Sequence, residues 1–318
     1  MERYLKITLW TIGIVVFLVL VGGIVRSTGS GMGCPDWPKC FGMWVPPTCA
    51  CDVPEHYIVE YGKLGLKFNA VQTWIEYVNR LIGALTGLFI FATLLASYPL
   101  RKVNTWIPIL SFLGFILVGI EGWLGKKVVD SNLHEGMITL HMFFAMILLA
   151  VLIIAYLIAR PYQNENAEKD SSFSLPNSWI LGGLGVSLLI LVQIIIGTQV
   201  RENVDVVAKT LGDAKRGEWI ANLGEIYFWH KNSYYLIVLG IGYWLYQMKE
   251  YLVTHSFLQK LAIACGSLLS LEILFGISMN YFAIPPFLQP LHLLFATVLF
   301  MGTFAMTVVL WQDKNNLS

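Results

Sequence analysis

Charge is what this 318-residue sequence has least of: Asp, Glu, Lys and Arg supply 13% of it, against about 25% in an ordinary soluble domain. Hydrophobic residues make up 56%, and the mean hydropathy is +0.65. A water-soluble globule is therefore not the economical reading, and a chain that crosses a membrane several times is. Cysteine is scarce as well. Four of the five, Cys34, Cys40, Cys49 and Cys51, fall in one stretch, and only Cys265 lies in an apolar run. A cleavable leader is not expected either. Arg3 and Lys6 precede the first apolar run, but that run is longer than a signal h-region, and Gly22-Gly23-Ile24-Val25-Arg26 holds no A-x-A site, so it is expected to stay as a helix. No apolar run is clearly broken at its middle by paired Gly or Pro, which argues against a transporter built on parallel repeats. The formal net charge is +1, and no nucleic-acid partner is expected.

What is present is a set of apolar runs, each long enough, at about 20 residues, to span a bilayer. Eight are expected, over residues 7–25, 74–98, 105–124, 137–159, 178–200, 223–247, 257–281 and 287–312. If the N-terminus is cytoplasmic, the inner segments carry Arg3, Lys6, Arg101, Lys102, Arg160, Lys169, Lys249, Lys260 and Lys314 in short stretches. The ten basic residues on the other side are spread over loops nearly twice as long, mainly 26–73 and 201–222. By the positive-inside rule this favours, by a small margin, both termini in the cytoplasm of a multi-pass bacterial inner-membrane protein. The four clustered cysteines then fall in an exterior loop. Cys34 and Cys40 could close a turn stiffened by Pro35 and Pro38 as a disulfide, or act as a redox-active or metal-binding thiol pair.

One repeat distance organises the polar residues. Asn79 and His230 are 151 residues apart, and so are His141 and His292, Arg80 and Lys231, Glu121 and Glu272, and Gly125 and Gly276. Around Arg26 and Arg201 the offset is 175, because the first long loop exceeds its counterpart. The expected architecture is all-α: two fused four-helix bundles, 1–162 and 178–318, joined by a polar linker at 163–177. An even number of spans per copy relates the copies by a pseudo-twofold axis along the membrane normal. Gly83-x-x-x-Gly87 is expected to be ordinary helix packing.

Ionisable residues inside membrane spans are costly and mark function. Asn79, His141, His230 and His292 each lie about one and a half turns into an apolar run, roughly 8 Å deep at 1.5 Å per residue. Two facing imidazoles at one level can clamp a haem iron from both sides, and the cations Arg80, Lys231, Arg26 and Arg201 suit haem propionates. Glu76 shares a helix face with Asn79 and could exchange protons beside such a site; its repeat counterpart is Tyr227. Glu121 and Glu272 are expected to be structural, hydrogen-bonding between helices. His134 is expected at the interface, and His56 and His255 in solvated loops.

The stretch from Val21 to Cys40, with Gly22-Gly23-Ile24-Val25-Arg26-Ser27-Thr28-Gly29 leading into Cys34-Pro35-Asp36-Trp37-Pro38-Lys39-Cys40, resembles the first helix and exterior loop of haem A synthases of the CtaA type. Glu76-Tyr77-Val78-Asn79-Arg80 and Leu140-His141 are similar to that family too, and the resemblance covers nearly the whole chain. It implies oxidation of the C8 methyl group of haem O to the formyl group of haem A. It further implies a haem b cofactor held by His230 and His292, a substrate haem O ligated by His141, Glu76 as the catalytic acid, and Cys34 and Cys40 as the loop pair. A haem O synthase and a membrane electron donor are the implied partners within the bilayer, and homo-oligomerisation is left open.

The family pattern is Glu-x-x-His-Arg, and here Asn79 stands at the histidine. An amide is a poor iron ligand. Either the substrate haem is held on His141 alone with an open face, which is the expected case, or the first half has lost its activity. In the latter case the chain would be a haem-binding electron carrier or haem-handling protein without methyl oxidase activity.

Overall fold

The computed structural model describes residues 1–63, 65–163 and 175–317. Ten α-helices form among them: α1 (Glu2–Ser27), α2 (Glu55–Lys63), α3 (Ala70–Ser97), α4 (Trp106–Asp130), α5 (Glu135–Ala159), α6 (Asn177–Leu211), α7 (Gly224–Gln247), α8 (Lys249–Thr254), α9 (Ser256–Tyr281) and α10 (Leu288–Leu317). The described residues contain no strand, only an isolated bridge between Cys40 and Met43. The chain is thus an all-helical membrane protein, as its composition requires. Most of the expected linker, 164–174, lies outside the described residues.

Seven helices, α1, α3, α4, α5, α6, α9 and α10, are long and apolar enough to cross a membrane. The eighth expected run coincides with α7, whose His230, Lys231, Asn232 and Ser233 dilute its apolar character. Helices α1, α3, α4 and α5 each pack on the next, and α5 returns to α1. Helices α6, α7, α9 and α10 repeat that cycle, and α1 with α10 and α5 with α6 join the two sets.

The interior is apolar, with hydroxyls tied to their own helices. Thr8, Thr11, Thr93, Thr297, Thr303 and Thr307 each donate to a carbonyl one turn earlier, so none of these hydroxyls is left bare in a medium that cannot supply water. Thr11 also meets Thr93 across α1 and α3 at 2.8 Å. Leu9, Phe17, Leu88, Leu95, Leu188 and Leu239 stand exposed on the outside, where lipid tails replace water as the solvent. Gly83 and Gly87 have open space around them rather than a neighbouring helix, so the packing expected there does not occur within the chain. Cys265 is a small core residue, buried where a Cβ on Gly302 would come within 2.6 Å of its sulfur.

Two segments differ from expectation. Helix α6 runs on to Leu211 rather than stopping near 200, because Val204 and Val207 pack with Trp219, Leu223 and Ile284 in a small core of their own. The long loop before α3 is likewise a packed unit. It includes α2 and a core of Cys34, Cys40, Phe41, Val53 and Tyr61. Tyr61 donates its hydroxyl to the Met32 carbonyl at 2.5 Å, and burial pushes that phenol well above its ordinary pKa. Gly33 is where this unit lands on α3. A Cβ there would stand 2.5 Å from the Gln72 carbonyl oxygen and 2.8 Å from the Thr73 nitrogen, both backbone atoms that cannot swing away. Gly33→Ala should therefore cost about 1–3 kcal/mol and lift the loop. The expected result is faster limited proteolysis within residues 28–69, and a wild-type cleavage pattern would contradict it.

The repeat extends to the backbone. Asn132 and Leu133 after α4, and Ala283 and Ile284 after α9, are consecutive non-glycine residues with positive φ, again 151 apart. Leu133 N–H bonds the Val128 carbonyl and Ile284 N–H the Met279 carbonyl, each at 2.8 Å, closing the two helices in the same way. A β-branched residue at φ 57° is strained, and Arg216 holds it by donating to the Ala283 and Ile284 carbonyls at 2.9 and 2.6 Å. These turns set where α5 and α10 begin, and so the level of His141 and His292.

Candidate functional site

Helices α7 and α10 bring His230 and His292 together, with ring centres 6.3 Å apart and ring planes at 84°. A metal–imidazole bond is about 2 Å and the ring centre lies about 1.2 Å behind the nitrogen, so two imidazoles on opposite sides of one metal have centres about 6.4 Å apart. The Nδ1 atom of His230 is buried without a hydrogen-bond partner. Gly197 on α6 leaves the ring its room: a Cβ there would be 3.2 Å from His230 Cε1. Gln193 and Ser233 brace the backbone, Gln193 donating to the His230 carbonyl at 2.7 Å and Ser233 donating to Gln193 at 2.5 Å. The donor set and the spacing fit a haem clamped from both faces.

His292 is also held from behind. Its Nδ1 sits 2.9 Å from Glu272 Oε2 on α9. The same contact recurs between His141 on α5 and Glu121 on α4, at 3.0 Å. Glu121 and Glu272 each reach a neighbouring helix, and the group each one approaches is a candidate ligand histidine. The 151-residue spacing contained that signal, since it pairs both residue types at once. At the position equivalent to His230, the Asn79 side-chain oxygen is buried and unpartnered. In the first set of helices, then, the 151-residue repeat puts an amide where the second set has an imidazole.

Glu76 is buried on α3, one turn before Asn79. Its Oε2 accepts the Cys34 N–H at 2.9 Å, and its Oε1 pairs with Arg80. Arg80 also donates to the carbonyls of Asp36 (2.5 Å), Lys39 (2.9 Å) and Cys34 (3.2 Å). That guanidinium is engaged with the cysteine loop rather than free for a propionate. Cys34 and Cys40 are joined, with an S–S distance of 2.02 Å, and are wholly buried; Cys49 and Cys51 are paired in an exposed turn. The loop that carries the disulfide thus seats directly on the carboxylate.

Arg26 and Arg201 end up on one carboxylate that sequence reasoning missed. Arg26 donates to Asp205 Oδ2 at 2.9 and 3.2 Å, and Arg201 to Asp205 Oδ1 at 2.5 Å. Arg201 donates as well to the Arg26 carbonyl at 3.1 Å. Asp205 is one turn after Arg201, on the part of α6 that continues beyond the expected span, where a loop is expected from the sequence. Removing it leaves two cations facing each other. Asp205→Ala should lower stability by about 1–2 kcal/mol, a figure discounted for partial exposure, and the loss should shrink in high salt. Thermal unfolding in detergent checks this, and an unchanged midpoint would contradict it. Lys231 is exposed on α7. His134 caps α5 by accepting the Gly136 N–H, and His255 faces Asp313 at 3.3 Å rather than lying free in a loop.

Residues 6–304 match the family model described as cytochrome oxidase assembly protein, COX15-CtaA. The heme A synthase of Pelagibacter ubique is 29% identical over 211 residues, covering 61% of this chain and 60% of that protein. The heme A synthase of Shewanella oneidensis is 24% identical over 221 residues, 67% of this chain and 61% of that protein. The heme A synthase of Exiguobacterium is 28% identical over 145 residues, 45% and 41% respectively. The chain thus spans about three fifths or less of the length of these relatives. With a match over nearly its whole length, this chain belongs to the COX15-CtaA family of cytochrome oxidase assembly proteins.

Proposed function

We propose that this chain is a haem A synthase, an oxidoreductase that converts the C8 methyl group of haem O to a formyl group for use in terminal oxidases. The observation that carries this reading is the inequality of its two sets of helices. One presents two imidazoles at metal-bridging distance, and the other presents His141, Asn79 and the buried carboxylate Glu76. The first arrangement suits a permanently held cofactor and the second a site that must admit and release its ligand.

His230 and His292 would hold haem b, with Glu272 orienting His292. Such a haem supplies one-electron transfer when bound. In the other half His141 would ligate the substrate haem O, and the small amide of Asn79 would leave its opposite face open. Glu76, fixed by the Cys34 N–H and by Arg80, would move protons at its carboxylate beside the substrate. Arg26 and Arg201, both on Asp205, would draw propionates toward the boundary between the halves, while Lys231 would serve from the surface of α7. The halves are 1–162 and 178–318, each a four-helix bundle with α7 as the eighth span, related by a pseudo-twofold axis along the membrane normal. The matching packing cycles and the paired positive-φ turns support that arrangement. Both termini would be cytoplasmic in a bacterial inner membrane. A haem O synthase would supply substrate, a membrane electron donor would supply or remove electrons, and self-association is compatible with the open glycine face of α3.

One observation favours the other reading, a haem-binding electron carrier without methyl oxidase activity. Both oxygens of Glu76 are already engaged, which is what a purely structural clamp on the loop would need. A bacterium deprived of its own haem A synthase decides between them. Supplying this chain should restore a terminal oxidase containing haem A, and continued absence of haem A would favour the carrier.

A further inference from the structure

We propose that Glu121 and Glu272 are positioning residues for haem ligation, each accepting the Nδ1–H of the histidine it faces so that Nε2 is presented to iron and the imidazole becomes a stronger donor. The inference rests on the haem-binding reading above and concerns how the ligand histidines are held and tuned. The geometry is the same twice. Glu272 Oε2 lies 2.9 Å from His292 Nδ1 across α9 and α10, and Glu121 Oε2 lies 3.0 Å from His141 Nδ1 across α4 and α5. Both glutamate side chains are 11% exposed, and the second oxygen of each is buried without a partner. One turn further along each helix is a glycine. A Cβ on Gly125 would be 3.8 Å from His141 Cε1, and one on Gly276 would be 4.0 Å from His292 Cε1. Glu-x-x-x-Gly on one helix therefore forms a seat for the imidazole of the next, with the carboxylate at Nδ1 and the glycine beside Cε1.

A carboxylate has a reason to be there that mere helix packing does not supply. Two buried polar side chains could cross-link helices with neutral groups at lower desolvation cost. A carboxylate behind a ligating histidine instead fixes the tautomer and raises ligand basicity, which favours the more highly charged ferric iron. Among the described residues no carboxylate stands at His230 as Glu272 does at His292, so the ligand pair of the second half is unequal. Glu272 alone is left to set the electron richness of that site.

The test uses the full-length protein purified with its haem. Glu272→Gln keeps an acceptor oxygen near Nδ1 and removes the charge. The haem should stay low-spin and its reduction potential should rise; a tenfold fall in the preference for ferric over ferrous iron reads as about 59 mV for one electron. Glu272→Ala removes the acceptor altogether, and haem should pass to a scavenging globin about 10- to 100-fold more readily. If Glu272→Gln is too unstable to purify, Glu272→Asp, which keeps the charge but shortens the reach, should shift the potential in the same direction by less. A wild-type potential in the purified Gln or Asp variant, with the low-spin spectrum still dependent on His292, would overturn the proposal and leave the ligand assignment standing. Absence of any low-spin haem from the wild-type protein would overturn both.

Discussion

His292→Ala or His230→Ala is expected to abolish the low-spin haem spectrum of the purified protein, the largest single effect on cofactor content. The two rings stand 6.3 Å apart, the separation at which one metal can be bonded by both, and they come from helices that are not neighbours in sequence. Loss of a partner behind a metal ligand already weakens affinity about 10- to 100-fold, so loss of the ligand itself should exceed that. The packing cost is separate. An alanine at 292 also strands Glu272 without its histidine, leaving a buried carboxylate bare at about 1–3 kcal/mol or more. His292→Gln, which fills the space but is a poor iron ligand, distinguishes lost ligation from lost folding: it should purify normally and lack the spectrum. His141→Ala should leave that spectrum in place, because His141 belongs to the other set of helices. An unchanged low-spin spectrum in both the His230 and the His292 variants would contradict the assignment.

Glu76→Gln is expected to cut haem A formation by about 10²- to 10⁴-fold, the range supplied by a positioned acid or base. The substitution is nearly isosteric, and the amide oxygen can still accept the Cys34 N–H that the carboxylate accepts at 2.9 Å. Its pairing with Arg80 weakens, but Arg80 keeps its three loop carbonyls, so the disulfide loop should remain seated with a stability loss of about 1–3 kcal/mol. The low-spin haem of the second half should be unaffected. The signature of chemistry is therefore lost conversion at normal haem content and normal loop protection from proteases. Wild-type conversion by Glu76→Gln would assign Glu76 to the loop clamp alone.

Composition and repeat made much of this molecule legible. Low charge and long apolar runs define an all-helical membrane chain. The 151-residue offset located His141, His230 and His292, together with the glutamates behind two of them. The roles of those glutamates were not legible, because a one-dimensional spacing does not say that Glu121 on α4 reaches α5 or that Glu272 on α9 reaches α10. Asp205 was missed for a different reason. It lies past the apolar part of α6, where polar residues ended the expected span while the helix itself continued on its own small core. Arg80 likewise depended on tertiary placement. Its proximity to Asn79 suggested an anion from the cofactor, whereas the folded loop supplies Glu76 and three carbonyls first. Gly83-x-x-x-Gly87 carried a packing pattern with no partner inside the chain, since nothing in the pattern distinguishes a helix interface from a lipid-facing groove.

The most direct measurement is chromatography of the haems extracted from cells that express this chain together with a haem O synthase and lack any other route to haem A. Haem A should accumulate with the wild-type chain, and haem O should remain unconverted with Glu76→Gln. Unconverted haem O with the wild-type chain, present in the membrane and carrying its low-spin haem, would contradict the proposed synthase and leave a haem-binding electron carrier.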